Sequence, residues 1–213
     1  MTKKEIFYRY ILFIIGLFIA SMGVAFSTKA GLGTSPVASL PYSVSLVSKL
    51  LTFGGWLNLL SLIQITIQVI LLRKNCKPVE IIIQTILAFA YGYMTNFSCS
   101  LISGIAVNSY FSQLIFMLLG CVILAFGIWL QLKGGVAMLP GEAMNRAISH
   151  VSGFKYENIK IFFDIAYIAS SAVICLVFIG RLEGVREGSI IAAILVGNII
   201  KLIFKIEKKL GHN

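Results

Sequence analysis

Six continuous apolar segments constrain this chain more than any other feature of its sequence. They fall at about 8–28, 56–73, 79–105, 112–132, 158–179 and 188–205. A bilayer core needs roughly 20 helical residues, and these runs are continuously apolar rather than alternating, so they predict six membrane-spanning helices. With 58% hydrophobic and 12% charged residues among 213, the chain is also too apolar for a soluble domain. The sequence therefore predicts an all-α polytopic membrane protein.

The basic residues predict the orientation of these helices. If both termini are cytoplasmic, only Lys29, Lys49, Arg181 and Arg186 lie outside, which leaves fourteen of the 18 Lys and Arg residues on the cytoplasmic side. This distribution is typical of the positive-inside rule. The net charge of +10 therefore indicates orientation and contact with anionic headgroups of the bilayer, rather than nucleic-acid binding.

An internal repeat is the second constraint. Residues 8–46 align with 112–150 at an offset of 104 without a gap. The matched pairs include Gly16 with Gly120, Gly23 with Gly127, Lys29 with Lys133, Gly31 with Gly135 and Pro36 with Pro140. We expect two three-helix repeats, 1–107 and 108–213, within one membrane domain. Because three is odd, the second repeat would be inverted in the membrane, as in many secondary transporters; gene duplication in a protein that transports nothing would leave the same pattern.

The two repeats carry similar interruptions after their first predicted helix, KAGLGTSPVASLPYSVS at 29–45 and KGGVAMLPGEAMNRAIS at 133–149. Gly31 and Gly135 permit left-handed turns, while Pro36 and Pro140 suit the first position of a new helix, so these four are predicted hinge and helix-start residues. The new helices, about 36–50 and 140–151, are too short to span. Each is either a re-entrant half-helix whose amino-terminal end faces a protein-lined cavity or an interfacial helix.

Two acidic residues are the main candidates for substrate binding or ion coupling. Asp164, the only aspartate, lies in the fifth predicted span, where a carboxylate must be paired, hydrated or protonated. It could couple to a proton or cation or bind an amine, and the structural alternative is an ion pair with Lys160 four residues earlier. Glu142, in the first turn of the second short helix, either complements the helix dipole or binds a solute beside Asn145 and Arg146.

Four further positions complete the candidate site, and no other chemistry is indicated. Gly33, Ser35 and Ser39 surround the start of the first short helix, where Ser35 could cap it, and Asn58 is a polar residue in the second span. The alternative for Asn58 is an interhelical hydrogen bond. The four cysteines are scattered singly, and there is no metal-ligand spacing, nucleotide-binding motif or hydrolase motif. We expect no enzyme, metal or cofactor.

The interruptions quoted above, together with Asp164 and GVREGSIIAAILVGN at 184–198, resemble the bacterial YczE-like membrane proteins, relatives of the YitT-like group. The resemblance covers nearly the whole chain and implies a small multi-pass transporter of the bacterial plasma (inner) membrane. The pattern of that family has an acidic residue in both short helices. Here Glu142 keeps it in the second, whereas Ala38 and Ser39 stand in the first. The two halves would then contribute unequally.

These observations favour a small secondary transporter or facilitator of a polar metabolite, anionic or zwitterionic. Its site would lie between the two repeats, and a proton or monovalent cation could couple to transport. Two alternatives stay open: a substrate-binding membrane subunit of an ATPase-driven vitamin transporter, and a non-transporting accessory or scaffold protein. Small-residue helix faces would also allow a homodimer.

Overall fold

The computed structural model of the chain describes residues 2–73 and 76–210, and within these ranges it contains eight helices and no strand. The helices are α1 (Lys3–Ala30), α2 (Pro36–Val47), α3 (Phe53–Leu72), α4 (Pro78–Leu101), α5 (Tyr110–Gly134), α6 (Pro140–Ser152), α7 (Tyr156–Phe178) and α8 (Glu187–Leu210). Lys74, one of the basic residues counted on the cytoplasmic side, lies outside the described residues. The all-helical prediction is confirmed for the described part.

Five of these helices, α1, α3, α5, α7 and α8, are long and apolar enough to cross a membrane, as the helices of a multi-pass membrane protein are. Many of their large apolar side chains are exposed, for example Phe178 and Ile194, and hydrocarbon is the solvent that suits such a surface. Helix α4 has 24 residues but is less apolar, with Gln84 and Asn96 along its length. The sixth span therefore stays a prediction.

The helices group into two compact units. The long-helix unit comprises Met1–Ser35, Phe97–Val136 and Glu183–Asn213, and so contains α1, α5, α8 and the end of α4. The short-helix unit comprises Pro36–Asn96 and Ala137–Leu182, and contains α2, α3, α6, α7 and most of α4. Each unit takes residues from both predicted repeats. The two compact units do not test the boundary between the predicted repeats at 107/108, and this boundary stays a prediction.

In the long-helix unit, α1 and α5 pack antiparallel at backbone distance through the glycines Gly16, Gly23, Gly120 and Gly127. A Cβ atom on Gly16 would lie 2.7 Å from the carbonyl oxygen of Gly127, and one on Gly120 would lie 2.9 Å from that of Gly23. A Cβ atom on Gly127 would overlap the backbone of Ala20. These glycines are therefore packing contacts, because any side chain would push the helices apart.

The ends of α1 and α5 are alike. Each helix ends at a glycine in the left-handed conformation, Gly31 with φ of 68° and Gly135 with φ of 58°. The lysine in each last turn has a partner in the same unit: Lys29 donates to the carbonyl oxygen of Ser103 at 2.8 Å, and Lys133 forms an ion pair with Glu207 of α8. A new short helix then begins at Pro36 or Pro140, where proline lacks only an N–H that would have no helical partner.

In the short-helix unit, each short helix packs against the long helix that follows the other short helix in the sequence. Helix α2 packs on α7, and α6 packs on α3. At the first of these contacts the hydroxyl groups of Ser43 and Ser171 are hydrogen-bonded, and Ser171 also donates to the carbonyl oxygen of Ser39 at 3.1 Å. Ser171 of α7 thus hydrogen-bonds both the Ser43 hydroxyl group and the Ser39 carbonyl oxygen of α2.

We predict that Gly127→Ala lowers the free energy of unfolding by about 1–3 kcal/mol, the range of overpacking substitutions, because the added methyl group meets the backbone of Ala20. The measurement is thermal or denaturant unfolding of the detergent-purified protein. Gly197→Ala is the matched control. No neighbouring atom of the described residues lies within 4 Å of its Cβ position, and alanine has a higher helix propensity than glycine, so this change should not destabilise the protein. Equal stability of the two variants would contradict the close α1–α5 contact.

Candidate functional site

The start of α6 has backbone donors without a cap. Leu139 occupies the N-cap position and its side chain makes no capping hydrogen bond. Pro140 has no N–H, and the N–H of Ala143 donates to the carbonyl oxygen of Leu139 at 3.0 Å. This leaves the N–H groups of Gly141 and Glu142 without an acceptor among the described residues. Such an end carries partial positive charge and is able to bind an anion.

Three helices of the short-helix unit meet beside this end. Gly141 of α6 lies against Gln64 of α3, since its Cβ position is 3.3 Å from the Gln64 side-chain nitrogen. That Nε2 atom donates to the hydroxyl group of Tyr167 on α7 at 2.9 Å. Gln64 is only 3% exposed. A part-buried hydrogen bond thus links α3 and α7 beside the first turn of α6.

Two buried acceptor atoms lie one turn beyond this contact. Asn145 follows Gly141 by four residues, and Gln68 follows Gln64 by four, so each shares a helix face with the residue before it. Asn145 is 8% exposed and Gln68 is 4% exposed, and within the described ranges neither Asn145 Oδ1 nor Gln68 Oε1 receives a hydrogen bond. A buried acceptor without a donor costs about 1–3 kcal/mol, so both oxygens would gain from a donor on a bound solute.

Four charged side chains lie on the neighbouring faces of α6 and α7. Lys160 Nζ is 2.9 Å from Asp164 Oδ2, so the ion pair considered for Asp164 is present. Glu142 is half-buried in α6, which is too short to span a membrane. Burial raises the pKa of its carboxyl group, while the positive charges of Lys160 and Arg146 act in the opposite direction. The cluster holds two acids and two bases.

The remaining predicted site residues lie elsewhere. Ser39 is buried against α7, and its hydroxyl donates to the carbonyl oxygen of Pro36 at 2.7 Å. Asn58 of α3 is buried against Gly92 of α4, where its side chain fills space that a Cβ atom would need. Gly33, with φ of 96°, packs against the start of α8 in the long-helix unit, while Ser35 is half-buried directly before α2.

Of the predicted residues, Glu142 and Arg146 of α6 and Asp164 of α7 therefore belong to this charged cluster, and Asn145 is buried on the α6 face that it shares with Gly141. Tyr167 and Gln68 were not singled out from the sequence. Both carry a signal in retrospect, because Tyr167 follows Asp164 by three residues and Gln68 follows Gln64 by four, spacings that place side chains on one helix face.

Residues 7–205 match DUF6198, described as a family of unknown function. The chain belongs to this family. It is also 33% identical over 146 residues to the uncharacterized protein YyaS of Bacillus subtilis (strain 168), which covers 68% of this chain and 70% of that protein. No solved structure matches the chain. The YczE-like resemblance is compatible with membership of DUF6198 and is not confirmed by it.

We predict that Glu142→Gln stabilises this DUF6198 protein near neutral pH. Because burial raises the folded-state pKa of Glu142, its ionised form is disfavoured by folding. The protein therefore loses stability as the pH rises from the ordinary glutamate pKa of about 4.3 through the raised value. The variant should unfold at a higher temperature than the parent at pH 7.5, and this gain should vanish near pH 4.

The matched control for this prediction is Glu157→Gln, an exposed acid in the first turn of α7. It should show no stabilisation at either pH. A gain for Glu142→Gln that is the same at pH 4 and pH 7.5 would contradict the role of ionisation.

Proposed function

We propose that this DUF6198 protein is a small secondary transporter or facilitator of a polar metabolite, anionic or zwitterionic, in the bacterial inner membrane. The proposal includes six spans with both termini in the cytoplasm. The observation that carries it is the uncapped start of α6 beside the part-buried Gln64–Tyr167 hydrogen bond. In so apolar a chain, unpaired donors at a helix start are the arrangement with which transporters bind anionic groups of their substrates.

The proposed site takes residues from both halves of the sequence within the short-helix unit. Gln64 comes from the first half, whereas Gly141, Glu142, Asp164 and Tyr167 come from the second. Asp164 and Glu142 are the candidates for coupling to a proton or monovalent cation, since both are carboxylates next to this helix start. Asp164 is paired with Lys160. If Asp164 exchanged this partner for a cation or for an amine of the solute, solute binding would be linked to ion coupling.

We also propose that the two halves are inverted repeats. The α1–α5 contacts support this, because adding 104 to Gly16 and subtracting it from Gly127 converts their contact into the one between Gly120 and Gly23. The pairing of short and long helices supports it as well, because exchanging the halves converts α2 on α7 into α6 on α3. Both patterns are what a pseudo-two-fold axis would produce, and alternating access in many transporters uses such an axis.

The experiment begins with a thermal-shift screen of the detergent-purified protein against amino acids, carboxylates, thiols and vitamins. A solute that binds the folded state at 100 times its Kd adds about 2.7 kcal/mol to the unfolding free energy. Each hit is then tested for uptake into liposomes that contain only this protein. Uptake without an ATPase would exclude the subunit of an ATP-driven vitamin transporter. A folded protein that binds and transports nothing would favour the accessory or scaffold alternative.

We predict that Asp164→Asn abolishes this uptake while the protein still folds, because the variant loses both the negative charge and the ion pair with Lys160. Glu157→Gln, an exposed acid on the same helix, is the control and should transport normally. Normal uptake by a well-folded Asp164→Asn protein would remove Asp164 from the mechanism.

A further inference from the structure

We propose that the solute bound at the start of α6 is a compact zwitterion of the α-amino-acid type. In this arrangement its carboxylate accepts hydrogen bonds from the Gly141 and Glu142 N–H groups, and its ammonium group donates to Asn145 Oδ1. This inference rests on the proposed function, which it narrows from polar metabolites in general to one chemical class.

The requirement for both groups comes from the unpaired atoms of one turn of α6. The N–H groups of Gly141 and Glu142 need an acceptor, which a carboxylate supplies and an ammonium group cannot. Asn145 Oδ1 needs a donor, which an ammonium group supplies and a carboxylate cannot. A simple anion would therefore leave the buried Asn145 Oδ1 unpaired, and a simple amine would leave the two N–H groups unpaired, whereas a zwitterion satisfies both.

The charges around the site agree with a solute of no net charge. Glu142 and Asp164 are balanced by Arg146 and Lys160, and Lys160 is paired with Asp164. A net anion would be attracted by the two bases but repelled by the two acids. A net cation would be attracted by the two acids but repelled by the two bases. A zwitterion adds no net charge to this balanced set.

The spacing of the unpaired atoms favours a compact solute. Asn145 follows Gly141 by four residues, and a helical turn rises by about 5.4 Å. Helical side chains lean towards the amino-terminal end, so the Asn145 side chain is expected to extend from its Cα atom towards the turn that begins at Gly141. An ammonium group and a carboxylate attached to the same carbon fit this short separation, whereas charged groups several carbons apart do not.

The test measures affinities of the purified full-length protein for the proteinogenic amino acids by thermal shift and calorimetry. For each amino acid that binds, the same side chain is offered as the decarboxylated amine and as the deaminated carboxylic acid. We expect both derivatives to bind at least tenfold more weakly. A carboxylic acid or an amine that binds as tightly as the amino acid would overturn the inference.

Variants of Asn145 address the ammonium group directly. Asn145→Ala should weaken amino-acid binding at least tenfold, whereas Asn158→Ala, a change to an exposed asparagine in the first turn of α7, should leave it unchanged. If Asn145→Ala fails to fold, Asn145→Asp keeps the acceptor and should retain amino-acid binding while binding the amine more tightly than the parent does. An unchanged amino-acid affinity in a folded Asn145→Ala protein, or an unchanged amine affinity in Asn145→Asp, would overturn the inference.

Failure of this inference and failure of the proposed function give different results. If the protein transports a solute of another class and binds no amino acid, the inference falls and the transport function stands. If no solute of any class binds or is transported by the folded protein, the proposed function falls, and the inference falls with it.

Discussion

Hydrocarbon offers no hydrogen bonds, and this constraint accounts for most of what the described chain does with its backbone. A helix satisfies its interior N–H and C=O groups internally, so unpaired backbone groups are confined to helix ends. Most ends here have a local solution. Gly31 and Gly135 donate back to the preceding turn, Thr52 and Ser109 cap α3 and α5, and α1 begins with a capping box at Thr2. The starts of α6 and α7 differ from these, because neither Leu139 nor Lys155 makes a side-chain capping hydrogen bond in the described part of the chain.

The two short helices occupy equivalent positions in the repeats but differ in their polar residues. Helix α2 has no acidic residue, and its serine hydroxyl groups are hydrogen-bonded: that of Ser43 to Ser171 of α7, and those of Ser39 and Ser45 to carbonyl oxygens of α2 itself. Helix α6 has Ala143 and Ala147 at the repeat positions of Ser39 and Ser43, and it places its polarity in Glu142, Asn145 and Arg146 instead. The serine hydroxyl groups of the first short helix thus have partners, while in the second Asn145 Oδ1 is buried without a donor among the described residues. This inequality agrees with the absence of a carboxylate in the first short helix.

The sequence predicted the features whose cause is local. The prolines at 36 and 140 mark helix starts because the proline ring fixes φ and removes the N–H. The glycines at 31 and 135 mark helix ends because a residue without a Cβ atom adopts the left-handed conformation easily. The close α1–α5 contact was also foreseeable, since glycines seven residues apart share one helix face. What could not be predicted depends on which helices are neighbours. Ser39 and Asn58 are polar in the sequence, yet tertiary packing buries them away from α6, and Tyr167 gains its importance only from meeting Gln64.

Buried polar groups without a hydrogen-bond partner lower the stability of the free protein, and a solute that supplies the partner restores it. Each acceptor left without a donor, such as Asn145 Oδ1 or Gln68 Oε1, lowers the free energy of unfolding by about 1–3 kcal/mol. A solute that supplies the missing partners recovers that free energy on binding, and so binds the folded chain in preference to the unfolded one. The same atoms that weaken the free protein would then provide the affinity and the chemical selectivity of its site. A solute lacking either partner group recovers only part of this free energy, so discrimination between related solutes follows from what the helix start leaves unpaired.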